Sequence, residues 1–129
     1  MFTYIAVAGV VALSPASPTL PQVLVSYARS GGFAGVEQTV VVQRDGKVTT
    51  GAGRAAEFTL NGAEIRDIRH ALEGITTRTS SRSGCNVPDH FTYTLAYRDW
   101  RATRCHRVPD DWRPAVTRLD ALLRSSAGA

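Results

Sequence analysis

Two runs, Val23-Leu24-Val25-Ser26-Tyr27-Ala28-Arg29 and Val36-Glu37-Gln38-Thr39-Val40-Val41-Val42-Gln43, joined by Ser30-Gly31-Gly32-Phe33-Ala34-Gly35, decide how the fold is read. The first run has the β-branched and aromatic content of a strand. The second alternates, placing Val36, Val40 and Val42 on one face with Gln38 interrupting them. The glycines between them permit positive φ and a tight reversal. The stretch therefore predicts an antiparallel hairpin. Beyond it, Arg44-Asp45-Gly46-Lys47 is a turn signal, and Val48-Thr49-Thr50 continues briefly as a strand or as loop.

Asn61 opens a helix, with Glu64 in the capping-box position. Ile65, Ile68, Ala71 and Leu72 recur at helical spacing, Arg66, Asp67, Arg69 and Glu73 take the solvent side, and Gly74 stops the helix. Thr76 to Gly84 is Thr, Ser, Arg and Gly with no apolar anchor. Phe91-Thr92-Tyr93-Thr94-Leu95-Ala96-Tyr97 then alternates large residues with Thr or Ala. Arg98-Asp99-Trp100-Arg101 reads as a turn and Ala102 to Val108 as the return strand. Asp111 is placed to cap a last helix with Pro114 in its first turn and Val116, Leu119, Leu122 and Leu123 on its apolar face. The order is ββαββα. The expected architecture is α+β, a four-stranded antiparallel sheet packed on one face by two main helices.

The 129 residues suit one domain, expected over residues 22–125, with a flexible tail at 126–129. Met1 to Leu13 is apolar and is followed by Ser14-Pro15-Ala16-Ser17-Pro18. Ser14 and Ala16 stand in the small-residue places of a cleavage site, although no basic residue precedes the apolar run. Residues 1–21 are therefore expected to be a signal peptide and a proline-spaced linker, the alternative being an apolar segment packed on the domain. Cys85 and Cys105, an even pair in a chain expected to be exported, suggest one disulfide closing a loop worth about 3 kcal/mol; otherwise they are two buried thiols. No apolar run is long enough to span a bilayer, so stable membrane insertion is not expected.

The formal net charge of +4 rests on arginine, Lys47 being the one lysine. Arg78, Arg82, Arg98, Arg101, Arg104 and Arg107, with Tyr97 and Trp100 among them, have the composition of a single-strand nucleic-acid surface. A solvated strand face and a polar loop account for them equally, and an exported chain meets little nucleic acid, so no nucleic-acid partner is expected. His70, His90 and His106 fall in no metal-ligand spacing, and there is no C-x-x-C pair. Asp110-Asp111 precedes a helix, where acidic residues are favoured electrostatically. Ser30, Ser80 and Ser83 lack the context of an activated nucleophile. Ser30 to Gly35 lacks the Lys-Ser/Thr of a phosphate loop and leads into a strand. These readings point to binding rather than catalysis, with no catalytic residue, metal or cofactor.

A strand ending in Ser30-Gly31-Gly32-Phe33-Ala34-Gly35 resembles the opening of the emfourins, small inhibitors of thermolysin-like (M4) metalloproteases. Pro88-Asp89-His90-Phe91-Thr92-Tyr93-Thr94-Leu95 resembles the same family's acidic residue and F-x-Y-x-L strand. The likeness covers roughly Leu24 to Leu123. The apparent leader, the cysteine pair and the long polar segment Thr76 to Gly84 depart from the family pattern and suit an extracellular version. The resemblance implies an inhibitor that fills a protease cleft reversibly, and the leader and cysteine pair make it a secreted one; Ser30, Gly31, Gly32, Phe33, Ala34 and Gly35 are the candidate contact surface, since glycine allows close backbone approach and Phe33 offers a large apolar group. Because thermolysin-like enzymes favour bulky apolar residues, Phe33 is the expected anchor; the other possibility is that Phe33 folds back over the core while the glycines merely turn the chain. The segment ending in Asp89 is the second candidate surface. A secreted protein-binding module without a protease target is the alternative function.

Overall fold

A computed structural model describes residues 22–52 and 54–127; the expected leader and linker lie outside them. The hairpin forms as read. β1 (Val23–Gly31) pairs antiparallel with β2 (Val36–Gln43), Tyr27 lying opposite Val40 and Gly31 opposite Val36. On its other side β1 pairs antiparallel with β5 (Phe91–Tyr97), Tyr27 lying opposite Leu95 and Gly31 opposite Phe91. β6 (Trp100–Cys105) pairs with β5, so Trp100 and Arg101 belong to the strand and the turn is only Arg98-Asp99.

The α+β class holds, but the sheet has six strands in the order β4-β3-β2-β1-β5-β6, not four, and the expected ββαββα order is corrected. The additions are β3 (Lys47–Ala52) and β4 (Arg54–Thr59), a second hairpin between β2 and the first helix. β3 continues the alternation of β2, with Val48 opposite Val42 and Thr50 opposite Val40. β4 has only Phe58 and Thr59 as strong strand formers. Its extended state comes from pairing along β3, where Phe58 lies opposite Val48, rather than from intrinsic preference.

Helix α1 (Gly62–Glu73) starts at a complete capping box: the Glu64 amide donates to Asn61 Oδ1 at 2.8 Å and the Asn61 amide to Glu64 Oε1 at 3.1 Å. A 3-10 turn (Asp110–Trp112) leads into α2 (Arg113–Ala127), so the helix continues through two residues that were expected to be tail. Both helices cover one face of the sheet. Val25, Tyr27, Val40, Val42, Val48 and Leu95 meet Leu72, Ile75, Trp112 and Leu119 there, all essentially removed from water. Such burial of a large apolar side chain contributes about 1.5–3 kcal/mol each. The opposite face carries small and polar residues, among them Ser26, Ala28, Thr94 and Thr103, and Thr94 and Thr103 join their hydroxyls at 3.0 Å.

The polar segment from Thr76 finds its anchor along the outer edge of β6. The Ser81 amide donates to Thr103 O at 3.1 Å, the Thr103 amide to Ser80 Oγ at 2.9 Å, and Arg104 Nε to Thr79 O at 2.8 Å. An edge strand is thereby covered. Asp111 does not cap its own helix: its Oδ2 accepts from the amides of Thr76 and Thr77, both at 2.8 Å, and from the Thr76 hydroxyl at 3.1 Å. Trp112 Nε1 donates to Thr77 O at 2.7 Å beside it. Partial burial raises the Asp111 pKa, but the Thr77 and Thr76 donors outweigh it and hold the carboxyl below its ordinary value.

Asp111→Ala is expected to lower stability by about 1–2 kcal/mol, discounted for partial exposure. Because the folded carboxyl titrates below the unfolded one, its contribution is complete above the unfolded value of about 3.9 and is lost as pH falls through the lower folded value. Denaturant unfolding of the two proteins should therefore differ by a constant amount near neutrality and converge in acid.

Candidate functional site

At the end of the sheet where β1 finishes and β5 begins, backbone meets backbone too closely for side chains. Gly31 has φ 109°, and a Cβ there would lie 2.4 Å from the His90 carbonyl oxygen. Gly32 has φ 75°, and a Cβ there would lie 2.7 Å from the Phe91 ring. The Gly32 amide donates to His90 O at 3.0 Å, which locks the turn onto the neighbouring strand. Gly35 serves differently. Its amide closes the turn on Gly32 O at 3.2 Å, its φ is 62°, and a Cβ there would meet nothing within 4 Å.

Phe33 sits at the tip of this turn with 93% of its surface exposed. It does not fold back over the core. Phe91 occupies the position beneath the turn instead, its ring against Gly32 and the Arg29 guanidinium 5.0 Å from its centroid. Arg29 is held in turn by Gln38, whose Oε1 accepts from Nε at 3.0 Å and from Nη2, and by Asp120 of α2 at 3.6 Å. Asp120 also accepts from the Tyr27 hydroxyl at 2.8 Å. Burial first, then the charge of Asp120, pushes the Tyr27 phenol far above its ordinary range, so it remains a donor. The turn thus rests on a brace drawn from β1, β2, β5 and α2.

Of the expected contact residues, Phe33, Ala34 and Gly35 are exposed at the tip, and Gly31 and Gly32 are partly covered by His90 and Phe91. Ser30 is not in the turn; it is the last residue but one of β1, opposite Glu37 and Thr92. Asp89 comes to the same end of the sheet because Gly31 lies opposite Phe91. It is exposed, with φ 56°, and immediately precedes the His90 carbonyl that receives Gly32. The loop before it makes its own turns: Val87 N donates to Gly84 O at 3.1 Å, and His90 N donates to Val87 O at 3.3 Å. Cys85 and Cys105 are joined in a disulfide with their Cα atoms 4.9 Å apart. Gly84, at φ 85°, passes within contact of the Cys105 carbonyl and His106.

None of Arg29, Gln38, Phe91 and Asp120 is among the contact residues expected from the sequence. The brace's one signal was Gln38 in an otherwise apolar row. Arg98 pairs with Glu73, Arg104 is spent on Thr79, and Trp100 packs at 6.1 Å on the buried Trp112. Among the described residues no group of three or more His, Cys, Asp or Glu could hold a metal ion, and no helix is long and apolar enough to cross a membrane. No protein-family model, curated protein or solved structure matches the chain.

The glycines are expected to respond unequally to a methyl group. Gly31→Ala meets both forbidden φ and a backbone oxygen and should lower stability by about 2–4 kcal/mol. Gly35→Ala has open space and should lower it by about 1 kcal/mol. Midpoints of urea unfolding at unchanged slope measure the difference; equal losses would contradict the close-approach account.

Proposed function

We propose that this chain is a secreted inhibitor of a thermolysin-like metalloprotease, emfourin-like, that occupies the active-site cleft reversibly and performs no catalysis. The observation that carries the reading is Phe33, a fully presented aromatic on a turn whose glycines are locked to a neighbouring strand. The resemblance of Ser30 to Gly35 and of Pro88 to Leu95 to that family supplies the class of partner.

Preorganisation of the turn favours binding. An aromatic side chain that enters an apolar pocket buries about 150–250 Å², and a loop already fixed before binding loses little further entropy. Both flanks of the Phe33 turn are paired strands, and its base is hydrogen-bonded to His90. The hydrogen bond from Gly35 to Gly32 folds the segment into a turn rather than the extended line of a peptide substrate. That conformation favours occupancy of a cleft over cleavage within it. Asp89 offers a carboxylate on the same end of the sheet, within the approach of a partner that engages Phe33. Export is part of the proposal, and the disulfide supports it, since such bonds persist in oxidising compartments.

Inhibition of peptide hydrolysis by several thermolysin-like proteases tests the reading. Phe33→Ala is expected to weaken inhibition about 100-fold, or roughly 3 kcal/mol, and to leave the melting temperature unchanged because the side chain is 93% exposed. Absence of inhibition by the unaltered protein at micromolar concentration would overturn the protease assignment and leave a protein-binding module with another partner.

A further inference from the structure

The loop that carries Asp89 is attached to the fold in an unusual way. Its amino-terminal anchor is Ser81, hydrogen-bonded to Thr103, and its carboxy-terminal anchor is His90, which receives the Gly32 amide. Between them, among the described residues, the hydrogen bonds of the arch Arg82–Asp89 are made within the arch or to its anchors: the Cys85 amide to Arg82 O, the Val87 amide to Gly84 O, the Ser83 amide to Ser81 Oγ, and the His90 amide to Val87 O. The arch is tied to the sheet by the Cys85–Cys105 disulfide and by the passage of Gly84 over Cys105 and His106. The main core, in contrast, is assembled from β1 to β6 and both helices without either cysteine.

The bridge is also reachable. It lines a surface recess of about 300 Å³ with Ser80, Ser81, Arg82 and Thr103. Arg104, His106 and Arg107 line a second recess on Cys105. Cys85 is partly exposed, whereas Cys105 is 6% exposed. Exchange at such a bridge begins with attack of an incoming thiolate on an accessible sulfur.

We propose that the Cys85–Cys105 bridge is a redox-sensitive clamp that holds the Asp89 arch in place, so that a dithiol reductant weakens partner binding without unfolding the domain. The proposal rests on the inhibitor reading for the nature of the partner. A reductant thiolate attacks Cys85 Sγ, breaking the bridge and releasing Cys105 as a thiolate. The reductant's second thiol then displaces Cys85 and closes the reductant into its own disulfide. Two electrons pass to the protein, and the two cysteine sulfurs take up the two protons that the dithiol gives up. The arch keeps its end anchors, its internal turns and the passage of Gly84 over Cys105 and His106 but loses its covalent tie, and Asp89 is held less firmly beside the Phe33 turn.

The test compares the oxidised chain with Cys85→Ser/Cys105→Ser and with chain reduced by dithiothreitol, alkylated and freed of reagent, since a dithiol would strip the protease of its metal. Amide hydrogen exchange is read over residues 82–89 and over α1, and inhibition of a thermolysin-like protease is measured in parallel. Opening the bridge should speed exchange in the arch by about tenfold or more with α1 unchanged, and weaken inhibition about tenfold. Equal exchange in the arch, loss of protection in α1 together with the arch, failure of the variant to fold, or unaltered inhibition despite a loosened arch would each overturn the clamp. If the oxidised chain inhibits nothing, the inhibitor reading fails by itself, and the exchange comparison still decides whether the bridge clamps the arch.

Discussion

The contact of Gly31 and Gly32 with His90 and Phe91 is the constraint on which the rest of the molecule depends. β1 is the strand shared by both halves of the sheet; its pairing with β5 ends at Gly31 opposite Phe91, and the Gly32 amide bonds the His90 carbonyl just beyond it. With no Cβ at 31 or 32 the two backbones close up, and the register is set at that point. Register decides everything further along, because a slip of one residue would turn Tyr27 and Val25 from the helix-covered face to the open one. The buried phenol of Tyr27 then could not reach Asp120 on α2. The same contact places Asp89 beside the Phe33 turn, so the fold and the candidate site share one origin.

How much of this was legible depended on whether the information was local. The capping box of Asn61 and Glu64, and the alternation of Val36 to Gln43, are local signals, and both elements formed where they were read. The cysteine pair was legible through strand order, since a residue just before β5 lies next to the end of β6 in an antiparallel hairpin. β4 was not legible, because Arg54-Ala55-Ala56-Glu57 has no strand preference and is extended only through its partner. The polar segment from Thr76 was equally silent. Its structure comes from hydrogen bonds to Asp111 and Thr103, more than twenty residues away in sequence, which no periodicity reports.

At the site the division is similar. The glycine motif and Asp89 could be read as candidates, but the choice between an anchoring and an inward-folded Phe33 turned on which aromatic fills the space under Gly32. Phe91 fills it, so Phe33 is left outside. Gln38 looked like a flaw in an apolar row and is the residue that orients Arg29 over Phe91. A polar residue in such a row marks a partner elsewhere in the sheet, as it does here.

Under the proposed function the Phe33 turn is a ready-made plug, ordered before it meets its partner and complementary to an apolar pocket. That claim is tested most directly by competition at the protease. Calorimetric binding of the chain to a thermolysin-like enzyme would be measured with the main specificity pocket empty and with it filled by a small active-site inhibitor. The account expects binding to the open enzyme and its loss from the filled one. Undiminished affinity for the filled enzyme would contradict it.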